Sequence, residues 1–264
     1  DLTGTSIPRA YEFSWNDELL SLKQFSGILT HAVKSVANNL DTQVKGVPIV
    51  FYNASGFETT DIVSIEIEAP HFPKEVTVYD EQGKKVNSQL VSYTDGNVQL
   101  LVEATVPAVG YVVYDVRLAG SEKEMAITEA TNIENSFYKL MLDENGDIVS
   151  LFDKKNNKEL VKAGKAIRLA LFTENESLSW PAWEVLKKTI DRTPISITSN
   201  VKMTLCENGE LRKTLCVEKS HGGSFFRQYI HLYEGALAHR IDFINEIDWQ
   251  SANSLLKAEF PFNL

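Results

Sequence analysis

The sequence predicts a mainly β protein: an N-terminal amphipathic helix, a small antiparallel β-sandwich, and then a larger two-sheet β-sandwich expected to be incomplete at its C-terminal end. Three observations predict it. Apolar residues advance by three or four positions between Leu22 and Leu40, isoleucines alternate with polar residues from Asp61 to Glu68, and Asn-Gly pairs at Asn145-Gly146 and Asn208-Gly209 break up long alternating runs.

Asn16 or Asp17 can cap a helix whose stripe is Leu22, Phe25, Leu29, Val33, Val36 and Leu40. One helix cannot bury its own stripe, so this one needs partners. It assigns residues 1–44 to an opening loop and the last helix of a helical bundle. His31 stands off the stripe and reads as solvated. From Val47 the pattern turns to short strands: Pro48 to Tyr52, Asp61 to Glu68, Val76 to Tyr79, Val98 to Val106 and Tyr111 to Val116, part of a set of about six that makes a small sandwich over 45–118. The polar, turn-rich stretch from Ala119 to Ala126 reads as a linker. The larger sandwich, 124–264, opens with a hairpin, Phe137 to Asp143 and Ile148 to Asp153 around Glu144-Asn145-Gly146-Asp147. Further strands are expected at Ile167 to Phe172, Ile195 to Leu205, Leu211 to Glu218, Phe225 to Tyr233 and His239 to Trp249.

Composition removes several functions. With 43% hydrophobic and 23% charged residues over 264 positions, the chain is too apolar for disorder and long enough for more than one core. Acidic residues outnumber basic ones, 36 to 26, and no Lys/Arg cluster interrupts the excess, so no nucleic-acid partner is expected. No apolar run approaches the ~20 residues that span a bilayer, so no membrane partner is expected either.

The scattered reactive residues read as structural. Cys206 and Cys216 flank the Asn208-Gly209 turn. Five or six residues of ladder, ~17–20 Å, are expected between each cysteine and the other's partner, well beyond the roughly 7 Å a disulfide tolerates; they read as free thiols. His231 and His239 could pair across a hairpin turning at Glu234-Gly235-Ala236, and read as packing. His221-Gly222-Gly223-Ser224 reads as a strand connection. Asp242, Glu246 and Asp248 share one strand face and read as solvated surface. Trp180, Trp183, Phe225, Phe226 and Tyr229 could stack on sugar rings but read as core. Asn53-Ala54-Ser55 forms a glycosylation sequon in a loop. No set of His, Cys or Asp has metal-ligand spacing.

Several phrases, in order, nevertheless resemble the α-mannosidases of glycoside hydrolase family 38. Asp1-Leu2-Thr3-Gly4-Thr5 is similar to the stretch following a metal-binding His and an Asp in that family. Phe51-Tyr52-Asn53, Val78-Tyr79-Asp80 with Gly83-Lys84, Pro107 to Tyr111, Ile148 to Lys154, Trp180-Pro181-Ala182-Trp183 and Asp248-Trp249 with Leu255 to Pro261 continue the likeness. Pro181 stands where the family usually has Asp. The resemblance implies that the helix closes a bundle, that the large sandwich is mutarotase-like, and that the parent protein is a zinc-dependent retaining α-mannosidase hydrolysing terminal α-mannosides, with mannose-containing glycans as partners.

The resemblance places the zinc ligands upstream of Asp1, with no cofactor or catalytic residue expected in this chain. Asp1 is the nearest residue to the implied metal and sugar. The chain is then expected to be inactive scaffold. Two rivals of other classes are a stand-alone carbohydrate-binding sandwich and a structural interaction domain.

Overall fold

The computed structural model describes residues 8–120, 127–177, 179 and 184–263. Asp1 with its Thr-Gly-Thr phrase, most of the expected linker, and Trp180 to Trp183 lie outside the described residues. The chain divides into two compact units, Asp1–Val44 and Lys45–Leu264.

In the first unit, α1 (Pro8–Ala37) begins well before the caps expected at Asn16 and Asp17. Proline suits a first helical turn, where its missing N–H has no intrahelical partner to lose. Asn16 and Asp17 therefore sit in the helix interior, a position whose propensity cost a long helix absorbs. Leu22, Phe25, Leu29 and Val33 lie along α1 with their side chains exposed, while Leu40 falls beyond its end.

The second unit is all antiparallel β structure. It opens with β1 (Val47–Asn53), β2 (Thr59–Glu68), β3 (Glu75–Tyr79), β4 (Lys85–Val86), β5 (Ser88–Thr94), β6 (Asn97–Val106) and β7 (Gly110–Ala119). These form two sheets, β1-β7-β3-β4 and β2-β6-β5. Phe51, Val78, Val112 and Val116 from the first pack on Ile67, Leu90, Leu100 and Val102 from the second, which is a sandwich core. Strand β5 escaped the alternation pattern because its register shifts between Leu90 and Ser92. Leu90 faces the sandwich core and the adjacent Val91 joins a separate buried cluster.

The larger region contains β8 (Thr128–Glu129), β9 (Asn132–Glu134), β10 (Tyr138–Leu142), β11 (Ile148–Asp153), β12 (Lys158–Glu159), β13 (Arg168–Phe172), the short α2 (Lys187–Ile190), β14 (Ile195–Ser196), β15 (Ser199–Asn208), β16 (Arg212–His221), β17 (Ser224–Tyr233), β18 (Ile241–Asp248) and β19 (Leu255–Glu259). A five-stranded sheet, β18-β17-β16-β15-β8, faces a four-stranded one, β12-β11-β10-β9. Leu215, Val217, Ile230 and Leu232 of the former meet Leu140, Leu142, Ile148 and Leu151 of the latter. A third sheet, β14-β13-β19, lies in the same unit.

Three expectations need correction. The single strand expected over Ile195 to Leu205 is two, β14 pairing with β13 and β15 with β16, because the chain changes sheets at Ile197. His239 precedes β18 rather than lying in it, since a 3-10 turn at Gly235–Leu237 widens the connection. The cysteines lie closer than expected: Thr204, not a residue further along, opposes Cys216, and Cys206 occupies a bulge between Leu205 and Glu207. They are nonetheless free. The Cys206 thiol instead donates to the Thr214 carbonyl at 3.5 Å, and burial pushes it up to about 11.

The two β regions are joined by side chains that reach into turns. Gln89 of β5, buried, accepts from the backbone N–H groups of Leu211 and Arg212 at 2.9 and 2.8 Å. Its amide donates to the Arg212 carbonyl at 3.1 Å. Val91 and Leu101 pack with Leu211 beside it. Only glycine fits at Gly209, where a Cβ would overlap the Gln89 amide. Glu103 of β6 makes the second grip, accepting from Ala236 N–H at 2.6 Å and from the Asn87 amide at 2.7 Å.

Gln89→Ala strands the buried Leu211 N–H and the part-buried Arg212 N–H, each a loss of about 1–3 kcal/mol. A fall of roughly 2–4 kcal/mol in unfolding free energy is expected from urea denaturation. A loss below about 0.5 kcal/mol, the range of ordinary surface substitutions, would show that the contact carries no stability.

Candidate functional site

A groove on the β unit has a volume of about 960 Å³. Four segments line it: the β10–β11 turn, the chain entering β13, residues 191–196, and Glu259–Pro261 at the end of β19. The turn is made by its own sequence. Asp143 accepts from the backbone N–H groups of Asn145 and Asp147, each at 2.9 Å, and Gly146 takes a positive φ of 67° with Val217 packed against it. This local bonding is the reason an Asp-x-Asn-Gly-Asp stretch turns here rather than continuing as strand.

Asp147 emerges from the turn into the sandwich interior. Lys219 continues the inward row of Leu215 and Val217 on β16, and its Nζ donates to Asp147 Oδ1 at 2.5 Å. The pair bridges the two facing sheets with side chains only 10% and 4% exposed. Burial raises the Asp147 carboxyl above its ordinary range, opposed by the bond and the charge of Lys219. Above them Arg168 of β13 donates to Glu259 of β19 at 2.9 Å and to the Ser196 hydroxyl of β14 at 2.5 Å, tying three strands together. Phe260 supplies an aromatic wall. Its ring is 46% exposed but held edge-on by Phe243 at 5.7 Å and against Phe262 at 6.0 Å.

A second polar region is the outward face of the five-stranded sheet. Register places Glu207, Thr214, His231 and Asp242 in one cross-strand row. His231 is buried, with Nδ1 2.7 Å from the Thr214 hydroxyl and its ring stacked on Tyr229 at 6.4 Å. Burial, helped by the nearby Arg212 charge, lowers the His231 pKa, while Glu207 and Asp242 act the other way. Two rows along the same face, Arg227 donates to Glu218 at 2.7 Å and to Glu246 at 3.2 Å. Arg240 pairs with Asp242 at 2.7 Å. The charges here satisfy one another.

Against this geometry the expected site residues scatter. Asp1 lies outside the described residues, as do Trp180 and Trp183. His239 faces Phe137, not His231, whose cross-strand partner is Asp242. Phe226 is core at 2% exposure, whereas Phe225 on the outward face is 38% exposed. His221-Gly222-Gly223-Ser224 is a tight hairpin turn, both glycines having positive φ. The sequon Asn53 is tied down, its amide donating to the carbonyls of Phe57 at 2.8 Å and Val106 at 3.1 Å. No cluster of three or more His, Cys, Asp or Glu among the described residues could hold a metal ion, and no helix among them is long and apolar enough to cross a membrane. Sequence reading missed Asp147, Lys219, Arg168 and Glu259. One signal was present: a lysine following Leu215 and Val217 at inward spacing must find a partner or pay for burial.

Comparison with known proteins bears on the same region. The family model described as "Glycosyl hydrolases family 38 C-terminal domain" matches residues 133–264, which contain both the groove and the polar sheet face. Alpha-mannosidase G of Dictyostelium discoideum is 27% identical over 234 residues, an alignment covering 79% of this chain and 20% of that relative. The chain thus spans about a fifth of the length of the curated relative it matches.

Two outcomes follow from the ionised groups. Asp147→Asn leaves Lys219 buried without its counter-charge and should cost about 3 kcal/mol in urea unfolding, with Asp147→Leu/Lys219→Met recovering most of the loss. An equal loss in both would mean that packing, not charge, is at stake. His231 has a folded pKa below the ordinary 6.5. As pH falls through 6.5 the unfolded chain binds a proton the folded one refuses, so stability should drop from there down to the folded pKa. His231→Gln should remove that slope from urea midpoints measured across the interval, and an unchanged slope would assign it to another group.

Proposed function

The chain belongs to glycosyl hydrolase family 38 through that family's C-terminal domain, and from this premise we propose that it is the non-catalytic C-terminal portion of a zinc-dependent retaining α-mannosidase acting on terminal α-mannosides of glycans. The family match over the large sandwich is the observation that carries the reading. The relative named as an α-mannosidase extends the likeness beyond that domain. The mutarotase-like character of the large sandwich belongs to the same proposal.

The chemistry of the described carboxylates supports a scaffold role. Retaining hydrolysis calls for a nucleophilic carboxylate and an acid roughly 5–5.5 Å apart across the sugar bond. Here Asp147 is engaged by Lys219, Glu259 by Arg168, Glu218 and Glu246 by Arg227, and Asp242 by Arg240. They act as struts. The described residues do not make a fitting zinc site, so the proposal places the metal's ligands elsewhere in the parent protein, with Asp1 the residue of this chain nearest to the metal and the sugar. The Gln89 and Glu103 grips count against the large sandwich working as a stand-alone module, because its turns at Gly209 and Ala236 are shaped around side chains of the smaller one.

The test is hydrolysis of an aryl α-mannoside by this chain and by the full-length parent protein, before and after chelation. Turnover is expected only in the parent, lost on chelation and restored by zinc. Turnover or tight stoichiometric zinc binding by residues 1–264 alone would overturn the scaffold reading, and an inactive zinc-loaded parent would overturn the α-mannosidase reading.

A further inference from the structure

We propose that the groove between the β10–β11 turn and Phe260 is a non-catalytic binding site for a neutral oligosaccharide. The choice of mannose as the sugar rests on the function proposed above; the ligand class rests on the groove itself.

Size comes first. A volume of about 960 Å³ lies at the upper end of ordinary ligand sites, ~300–1,000 Å³, and leaves room for more than one sugar ring. Charge then narrows the class. The carboxylates of Asp147 and Glu259 are held by Lys219 and Arg168. Arg192 pairs with Glu174, and Asp191 with Lys187. Apart from Asp143 and Lys165, which form no ion pair among the described residues, every charge on the wall is paired, so a ligand carrying several charges would have to break one of these pairs and leave its former partner uncompensated. A neutral ligand with many hydroxyls loses nothing by this arrangement. The side-chain amide of Asn145 and the ammonium of Lys165, both on the groove wall, have no protein partner among the described residues and remain free to bond hydroxyls.

Phe260 supplies what a pyranose ring needs besides hydrogen bonds. Such a ring carries C–H bonds on its faces and hydroxyls around its rim, so an exposed aromatic face beside polar groups matches it. The Phe260 ring is fixed by Phe243 and Phe262, and Arg168 is fixed by three strands, so binding orders few side chains. The polar face around His231 has its charges already satisfied by one another, which makes it the weaker place for the same ligand.

The experiment is a nuclear magnetic resonance titration of residues 1–264 with methyl α-mannoside and with an α-mannobiose, following the Asn145 and Lys165 amides and the Phe260 ring. Saturable shifts at these three positions, with a millimolar dissociation constant and tighter binding of the disaccharide, are expected. Phe260→Ala should weaken binding up to roughly tenfold. Asn145→Ala changes only a free side chain and should weaken it a few-fold with an unchanged melting temperature. Absence of saturable shifts, shifts confined to the His231 face, or undiminished binding in both variants would overturn the proposal. A silent titration alongside an active parent enzyme removes only this site. Saturable binding of a glucose disaccharide but no mannoside, alongside an inactive parent, would keep the groove as a sugar site and remove the mannosidase reading.

Discussion

Strand β16 has to serve two surfaces at once, because the pleat sends alternate side chains to opposite faces. Leu215 and Val217 point into the core of the large sandwich, while Thr214, Cys216 and Glu218 point away from it. Lys219 belongs by spacing to the inward row, yet it carries a charge. The fold resolves the conflict at the rim of the core, where Asp147 from the opposite sheet meets it. That one ion pair fixes where the β10–β11 turn stands relative to β16, and with it one wall of the groove.

The same alternation organises the polar face. Arg212, Thr214, Cys216 and Glu218 oppose Tyr233, His231, Tyr229 and Arg227 in register, so Arg227 meets Glu218 and Glu246 across the ladder, while Arg240 pairs with Asp242 along its own chain. The result is a surface whose ion pairs are consumed internally. Exposed pairs of this kind add little stability each; their consequence is electrostatic quietness on a chain whose net charge is -10.

The junction between the β regions follows a different rule. Gln89 and Glu103 satisfy backbone groups of turns belonging to the other region. Turn N–H groups at 211, 212 and 236 lack ladder partners, so a side chain from outside completes them. Each region therefore finishes the hydrogen bonding of the other. This suits a fixed arrangement of the two regions better than it suits a string of independent modules.

Several elements were legible in the sequence because local rules decide them. The β10–β11 hairpin follows from alternation broken by Asn145-Gly146. The opposite faces of β18, with Asp242 and Glu246 on one and Ile241 and Phe243 on the other, follow from the pleat, and the glycine pair at 222–223 from the need for positive φ. The β14–β15 break, the bulge at Cys206, and strand β19 were not legible. Each depends on which distant strand supplies the partner, and hydrogen-bond pairing over long separations leaves no mark on local periodicity. The groove is the fullest case. Asp147, Lys219, Arg168 and the adjacent pair Glu259 and Phe260 come from four separate stretches, and no local pattern says that they meet. By itself, then, the sequence determined the β character, the alternating faces and the family likeness, because these rest on nearest-neighbour sterics and ordered motifs. Only the tertiary structure decided which charges are buried together and where a cavity opens, because desolvation and ion pairing act between groups that the chain brings together only on folding.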